Sequence, residues 1–407
     1  MKKWTNILIG KKRYIDSWYN NFPDLRNIVD NEISIDNSIS DYSLFFRKIN
    51  VDKSVFIIID NGISSELINF LNEHFECKSI KSFILDGLCS GILSPSKLRI
   101  DASTACQLQC TDCYMRLKNS GCVGTGFLTF NNFKKIVDEN PCIKEIELSN
   151  SGEIFLNPDL VKIIKYAFEK NIRLTAINGV NFNTVSDEQL DALVKYSFGV
   201  IGISLDGATQ ETYERYRRRG NYEKVILNIK KLIETKKKYN SSFPKIVWQF
   251  ILMEHNEHEV TLVRREAAKL GIPVWYKLNW NDNYQPTNRE LLQSVTGLQY
   301  LTRAEHLIKT SKTYLGATVC KQMFLSPQIN WDGRLLGCCE LFEEDYNENV
   351  FEIGLKEALK SPLFVQSKEY LLGKISENTY IGPCSRCIKH KKMHDVKEQI
   401  MPMEDFE

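Results

Sequence analysis

Between Leu98 and Leu278 the chain repeats one unit six times: a short run of apolar, often β-branched residues, then a longer stretch with helical spacing. The runs are Leu98–Ala102, Ile143–Leu148, Arg173–Ile177, Gly199–Leu205, Ile246–Met253 and Val274–Leu278. The helical stretches include Phe130–Glu139, Asp159–Lys170, Asp187–Lys195, Tyr222–Lys238 and Glu257–Leu270. Strand and helix in alternation point to parallel strands, because parallel neighbours need a crossover long enough to hold a helix. The pattern predicts an α/β fold, a partial (β/α)6 TIM-type barrel with helices outside. Chemistry in such folds gathers at the C-terminal ends of the strands.

This unit, residues 96–285, has a neighbour on each side. Residues 1–95 read as a Rossmann-like α/β accessory domain. Its strands are Asn6–Gly10, Arg26–Asp30 and Ser54–Asp60, and its helices are Arg13–Asn21 and Glu66–Phe75. Gly10 is followed by Lys11, Lys12 and Arg13, so the glycine cradle of a dinucleotide site is missing. Asp30, at the end of the second strand, stands where a ribose ligand would sit. We expect no NAD or NADP binding here. The three cations could draw an anionic group by charge alone. Residues 286–407 read as a small cysteine-rich domain.

A 43% apolar content over 407 residues is enough for a sizeable core, and a net charge of +2 gives no reason to expect a nucleic-acid partner. The basic runs Arg217–Arg219 and Lys236–Lys238 read as solvated turns and helix faces. No stretch approaches the apolar length of a membrane span, and MKKWTNILIG lacks a signal-peptide core. Twelve cysteines in such a chain favour metal or cluster ligation in a reducing cytoplasm over a disulfide framework.

Three of those cysteines, Cys106, Cys110 and Cys113, follow the first strand in a CxxxCxxC loop. A 4Fe–4S cluster usually takes four cysteines, so three leave one iron open for a non-protein ligand. Zinc held by these thiolates is the alternative. The second strand ends Leu148-Ser-Asn-Ser-Gly152-Glu153, the third at Asn178-Gly179, and the fourth in Ser204-Leu-Asp206-Gly-Ala-Thr-Gln-Glu-Thr-Tyr213. Asn178-Gly179 also fits a simple turn, and Asp206 or Thr209 fits a helix cap. Asn256-Glu-His-Glu259 reads as a capping-box-like helix start, with His255 and His258 exposed.

In this order, over roughly residues 97–390, these elements resemble the radical S-adenosylmethionine (SAM) superfamily. The resemblance implies that Cys106, Cys110 and Cys113 hold a 4Fe–4S cluster whose open iron takes the methionine end of SAM. It implies that Gly152 and Glu153 hold the amino group of SAM, that Asn178 lies against SAM, and that Ser204 and Asp206 contact its ribose and carboxylate. The family often places an aromatic just before the third cysteine. Here that position is Asp112, and Tyr114 follows instead, which makes Tyr114 the candidate for packing on adenine.

The tail carries a second set: Cys320, Cys338, and Cys384-Ser-Arg-Cys387, with a Trp331-Asp-Gly333 hairpin turn between the first two. It resembles the twitch version of the SPASM domain and implies one auxiliary 4Fe–4S cluster. Structural zinc is again the alternative. Among the remaining cysteines, Cys122 and Cys339 are candidate hydrogen-atom donors to a substrate radical. The implied reaction is reductive cleavage of SAM to a 5′-deoxyadenosyl radical, with an electron donor such as flavodoxin or ferredoxin. The expected substrate is a carbohydrate or cyclitol, nucleotide-linked sugars included, undergoing oxidation or epimerisation. The alternatives are a ribosomally made peptide and a non-catalytic zinc protein.

Overall fold

The computed structural model describes residues 5–35, 54–59, 63–113, 123–279, 284–310, 320–339 and 344–387. Tyr114 and Cys122 lie outside the described residues.

At the N-terminus, β1 (Thr5–Gly10), β2 (Asn31–Ser34), β3 (Ser54–Ile58) and β4 (Glu76–Ser79) form a parallel sheet in the order β2-β1-β3-β4. Around it lie α1 (Lys12–Asn21), α2 (Ser65–His74) and α3 (Ile80–Ser90). One expectation fails here. Arg26–Asp30 is not a strand: Pro23–Asn27 forms a 3-10 turn, with proline fixing its first residue. The strand starts one residue after Asp30, whose carboxylate accepts from the Asn6 amide at 2.8 Å. The acid therefore stands at the N-terminal end of β2, the wrong end for a ribose ligand.

The second sheet runs β10-β9-β8-β7-β6-β5-β11-β12. Its parallel strands are β5 (Lys97–Ile100), β6 (Glu145–Glu147), β7 (Arg173–Val180), β8 (Val200–Ser204), β9 (Lys245–Leu252) and β10 (Val274–Leu278). The intervening helices include α4 (Phe130–Glu139), α5 (Leu160–Glu169), α6 (Asp187–Lys195), α7 (Gln210–Tyr216), α8 (Tyr222–Lys238) and α9 (Val260–Leu270). Their apolar stripes, such as Phe133, Ile136 and Val137 on α4, pack onto the outer face of the sheet.

Alternation sorts the strand residues. Leu98, Ile100, Ile146, Leu174, Ala176, Ile201, Ile203, Phe250, Leu252 and Leu278 join the core under the helices. Their neighbours Arg99, Asp101, Glu147, Thr175, Ser204, Gln249 and Lys277 fall on the opposite, inner face. Strands of a fully buried parallel sheet normally carry apolar residues on both faces. The inner face here is polar instead.

After β10, helices α10 (Arg289–Thr296) and α11 (Arg303–Thr310) precede α12 (Gln322–Leu325) and a hairpin, β11 (Gln328–Ile329) with β12 (Leu335–Gly337). The expected Trp331-Asp-Gly333 turn closes this hairpin, with Gly333 at φ +95°. The hairpin does not stand apart: β11 pairs in parallel with β5, and Gln328 donates to buried Asp101 at 2.9 Å. Trp331 Nε1 and Asn330 Nδ2 both donate to Val123 O, at 3.0 and 2.8 Å. Three short helices follow, α13 (Val350–Ile353), α14 (Leu355–Leu359) and α15 (Pro362–Leu371). Fully buried Lys368 on α15 donates to Leu88 O at 2.7 Å, tying the tail to the C-terminal turn of α3, where a cation is favoured.

Candidate active site

The cysteine loop leaves the C-terminal end of β5, as expected. It is pinned from several sides. Gln109 N donates to Arg218 O and Thr111 N to Tyr216 O, both at 3.0 Å, so the loop lies along the residues after α7. Cys110 and Cys113 pack with Leu108, Tyr216, Ile251 and Met253. Cys106 is exposed, whereas Cys110 is buried, and that burial pushes its thiol upward against the opposing charge of Arg217. A cation bound beside that thiol would favour its thiolate form. Among the described residues, no three His, Cys, Asp or Glu side chains converge to hold a single metal ion. A cubane needs no such convergence, because each cysteine takes a different iron. Three thiols on one short loop suit a cluster that leaves one iron open to a non-protein ligand.

The loop after β6 closes onto the cysteine loop. Gly152 has φ +63°, and a Cβ there would lie 2.5 Å from Ser103 O, 2.6 Å from Thr104 C and 2.7 Å from Ala105 O. Only glycine fits between three backbone atoms in this conformation. Glu153 N donates to Ala105 O at 2.8 Å, joining the two loops again. The Glu153 carboxylate is fully buried and accepts from Phe155 N at 3.2 Å and Asn181 N at 2.6 Å. Asn181 Nδ2 in turn donates to Cys106 Sγ at 3.6 Å. Burial lifts Glu153 to about 7, and buried Asp101 likewise to about 7. A cationic amine brought beside Glu153 would favour its charged form.

Those shifts fix a pH dependence. Folded apo-protein keeps a proton on Glu153 that the unfolded chain releases near its ordinary value of 4.5. The folded state therefore binds more protons between about 4.5 and 7, and stability falls as pH rises through that window. Glu153's share is on the order of 3 kcal/mol. Glu153→Gln should flatten the pH dependence of the urea midpoint between pH 5 and 7. An unchanged slope would mean that Glu153 is ionised throughout.

Ser204 and Asp206 do share the inner face. Asp206 is fully buried and already engaged: Oδ1 accepts from Ile251 N at 2.7 Å and Oδ2 from Arg217 Nε at 2.6 Å. It caps no helix; Thr209 does, accepting from Thr212 N at 3.3 Å. Arg217 Nη1 reaches Cys110 Sγ at 3.7 Å. The expectation that Arg217–Arg219 is solvated fails for Arg217, whose side chain is 15% exposed. A buried acid holds it, and its charge faces the cysteine loop, where developing thiolates would be stabilised.

Three further readings change. Asn178-Gly179 is not a turn but the last part of β7, beside an irregularity in its pairing with β8. Exposed Asn178 donates to Asn150 Oδ1 at 2.8 Å, and Gly179 sits against the Ser204 hydroxyl. Asn256 is not a helix cap. It is fully buried, accepts from Met253 N at 2.9 Å, and donates to Asp206 O and Ile251 O at 3.2 and 2.9 Å. Glu259 accepts from Ala208 N at 2.6 Å and Thr209 Oγ1 at 2.7 Å. Together they lock the end of β9 to the Asp206 turn. His255 is half-buried and stacks on Tyr216, while His258 is exposed as expected.

In the tail, Cys384 is buried, its thiol pushed up to about 12 chiefly by that burial and then by nearby Cys338. The Cys384 sulfur lies 3.7 Å from Tyr346 Oη. Cys387 N donates to Cys384 O at 3.2 Å. Cys320 stands just before α12, whose Met323 sulfur lies 3.9 Å from the same Tyr346 hydroxyl. Cys339 is half-buried, its amide 3.4 Å from Gln322 Oε1.

Several residues that organise this site escaped the sequence reading. Arg217 was hidden in a basic run, and Asn181 had no motif around it. Glu147, on the inner face of β6, accepts from Thr175 Oγ1, Ile177 N and the Ser149 hydroxyl at 2.5, 2.9 and 2.6 Å. Its signal was an acid, the second of two, alternating with Ile146 and Leu148.

Residues 100–261 match the model of the radical SAM superfamily. Over 147 residues, 35% of this chain, the sequence is 27% identical to mycofactocin maturase MftC of Mycobacterium tuberculosis. That match also spans about a third, 35%, of the relative's length. The fold is similar to that of Streptococcus suis SuiB bound to S-adenosylmethionine, with a TM-score of 0.54 at 15% identity, covering 76% of this chain and 74% of that one. SuiB bound to its precursor peptide SuiA gives the same TM-score of 0.54 over 79% of this chain and 76% of that one, again at 15% identity. The matched segment starts at the end of β5, contains the cysteine loop, Gly152-Glu153 and Ser204–Asp206, and ends at the start of α9. Residues 100–261 therefore form a radical SAM domain.

Proposed function

We propose that this radical SAM enzyme modifies a ribosomally made peptide. The observation that carries the proposal is the pairing of a sequence relative named as a maturase with a fold, shared over three quarters of the chain, that binds a precursor peptide in SuiB. The carbohydrate reading leaned on the N-terminal unit, and Asp30 at the wrong end of β2 removes part of that support.

Cys106, Cys110 and Cys113 would hold the first 4Fe–4S cluster, and Cys320, Cys338, Cys384 and Cys387 an auxiliary one. Bound together, the first cluster and SAM would supply a 5′-deoxyadenosyl radical, with flavodoxin or ferredoxin as the electron source. This chain's residues do the rest. Glu153 would take the amino group of SAM, and Asn178, Ser204 and Tyr114 would orient it. The Asp206–Arg217 pair would hold the cysteine loop in place and offset thiolate charge. Cys339 and Cys122 would be the hydrogen donors where the chemistry requires one.

The test is to incubate reconstituted enzyme with SAM and dithionite and measure 5′-deoxyadenosine, with and without short peptides encoded beside its gene. We expect peptide-dependent 5′-deoxyadenosine formation and a mass change on the peptide. Stimulation by nucleotide sugars and by no peptide would overturn the proposal.

A further inference from the structure

One cation on the inner face has no role in the site so far. Lys277, next to last in β10, is only 8% exposed. Its neighbours face outward: the Tyr276 hydroxyl donates to Val260 O on α9 at 3.2 Å, and Leu278 joins the core. Alternation therefore turns Lys277 inward. It is in register with Ile251, which packs beside Cys110 and Tyr216. Its ammonium lies 4.1 Å from the centre of the Trp275 ring. Among the described residues, no oxygen accepts a hydrogen bond from it.

The charges that face Lys277 are Asp206, Arg303, Arg217 and Glu147. Two acids and two arginines cancel, and each has its own partner. Asp206 holds Arg217 at 2.6 Å, Glu147 is ringed by donors, and Arg303 Nε donates to Leu278 O at 3.2 Å. The charge on Lys277 is left over. Burial pulls it down to about 7. The side chain keeps a little solvent access on that face, yet its amine is largely stripped of water and has no carboxylate of its own. The arrangement becomes favourable when an anion arrives.

We propose that Lys277 is a substrate-anchoring residue that binds a carboxylate of the molecule on which this site acts. The SAM candidates Glu153, Asn178 and Ser204 follow β6, β7 and β8, whereas Lys277 lies on β10, at the edge of the sheet. The inference rests on the inner face being the reaction chamber, and not on the substrate being a peptide. A carboxylate would gain a charge-assisted hydrogen bond from Lys277 over an aromatic floor.

The test uses full-length reconstituted enzyme saturated with SAM. Glutarate serves as the carboxylate probe, with glutaramide as its neutral counterpart. Acetylation of Lys277 by acetic anhydride is followed by mass spectrometry, and tryptophan emission reports on the adjacent Trp275. Glutarate at about four times its dissociation constant should slow acetylation of Lys277 about fivefold. Glutaramide should not, and SAM alone should leave the rate unchanged. Lys277→Gln should lose the glutarate-dependent change in emission, and Lys277→Arg should keep it. The labelling needs no variant, so it stands even if both variants misfold. Equal labelling with glutarate and glutaramide would overturn the proposal. So would protection by SAM alone, which would give Lys277 to the cofactor. Neither result touches the peptide proposal, which is read by 5′-deoxyadenosine formation.

Discussion

Replacing Cys106, Cys110 and Cys113 together by Ala will abolish reductive cleavage of SAM. The three sulfurs lie on one loop, pinned by the Gln109–Arg218 and Thr111–Tyr216 backbone bonds and faced by Arg217. No other described cysteine lies on that loop, so nothing can replace them. After anaerobic reconstitution the parent should carry about eight irons, from two clusters, and the variant about four. Iron analysis and assay of 5′-deoxyadenosine with dithionite read the two effects separately. Residual SAM cleavage would remove the loop from the chemistry. Loss of all iron would mean that the tail holds no cluster of its own.

The second large effect is expected from Gly152→Ala. One added methyl must displace backbone at Ser103, Thr104 or Ala105, which carry the chain into the cysteine loop. A shift of about 1 Å in a reacting group can cost on the order of 100-fold in rate, and we expect a loss of SAM cleavage on that scale. Gly271→Ala is the matched control. Gly271 has φ +67°, close to that of Gly152, but a Cβ there meets nothing within 4 Å. It carries the same backbone strain, about 1 kcal/mol, without the collision. Full activity in Gly271→Ala with loss in Gly152→Ala would assign the effect to the contact between loops. Equal losses would assign it to strain.

The parallel strands of the second sheet could be read from sequence because the outer face obeys one rule: Ile201, Ile203 and Leu205 alternate under helices whose stripes match them. Helices such as Phe130–Glu139 and Tyr222–Lys238 have the bounds expected from their apolar spacing. The cysteine loop and Gly152-Glu153 were readable because their residue types are rare in that order. What stayed hidden depends on partners distant in sequence. Arg217 is one of three consecutive arginines, and only the carboxylate of Asp206 on the preceding strand end singles it out. Asn256 has the local signature of a cap, yet its amide goes to Asp206 O and Ile251 O. The strand assigned to Arg26–Asp30 failed because Pro23 sets a turn just ahead of it, and pairing with β1 starts at Asn31.

The hairpin that joins the edge of β5 has a mechanical consequence. Because β11 hydrogen-bonds to β5, the tail is a continuation of the sheet rather than a body hung on a tether. Cys338, one residue past β12, is therefore braced through the hairpin to the strand that leads into the cysteine loop, and the two cannot part without tearing main-chain bonds. The same ladder explains why the tail cannot be cut off cleanly: removing it would leave β5 an unpaired edge, with bare amides and carbonyls next to Cys106, the kind of margin at which chains stick to one another.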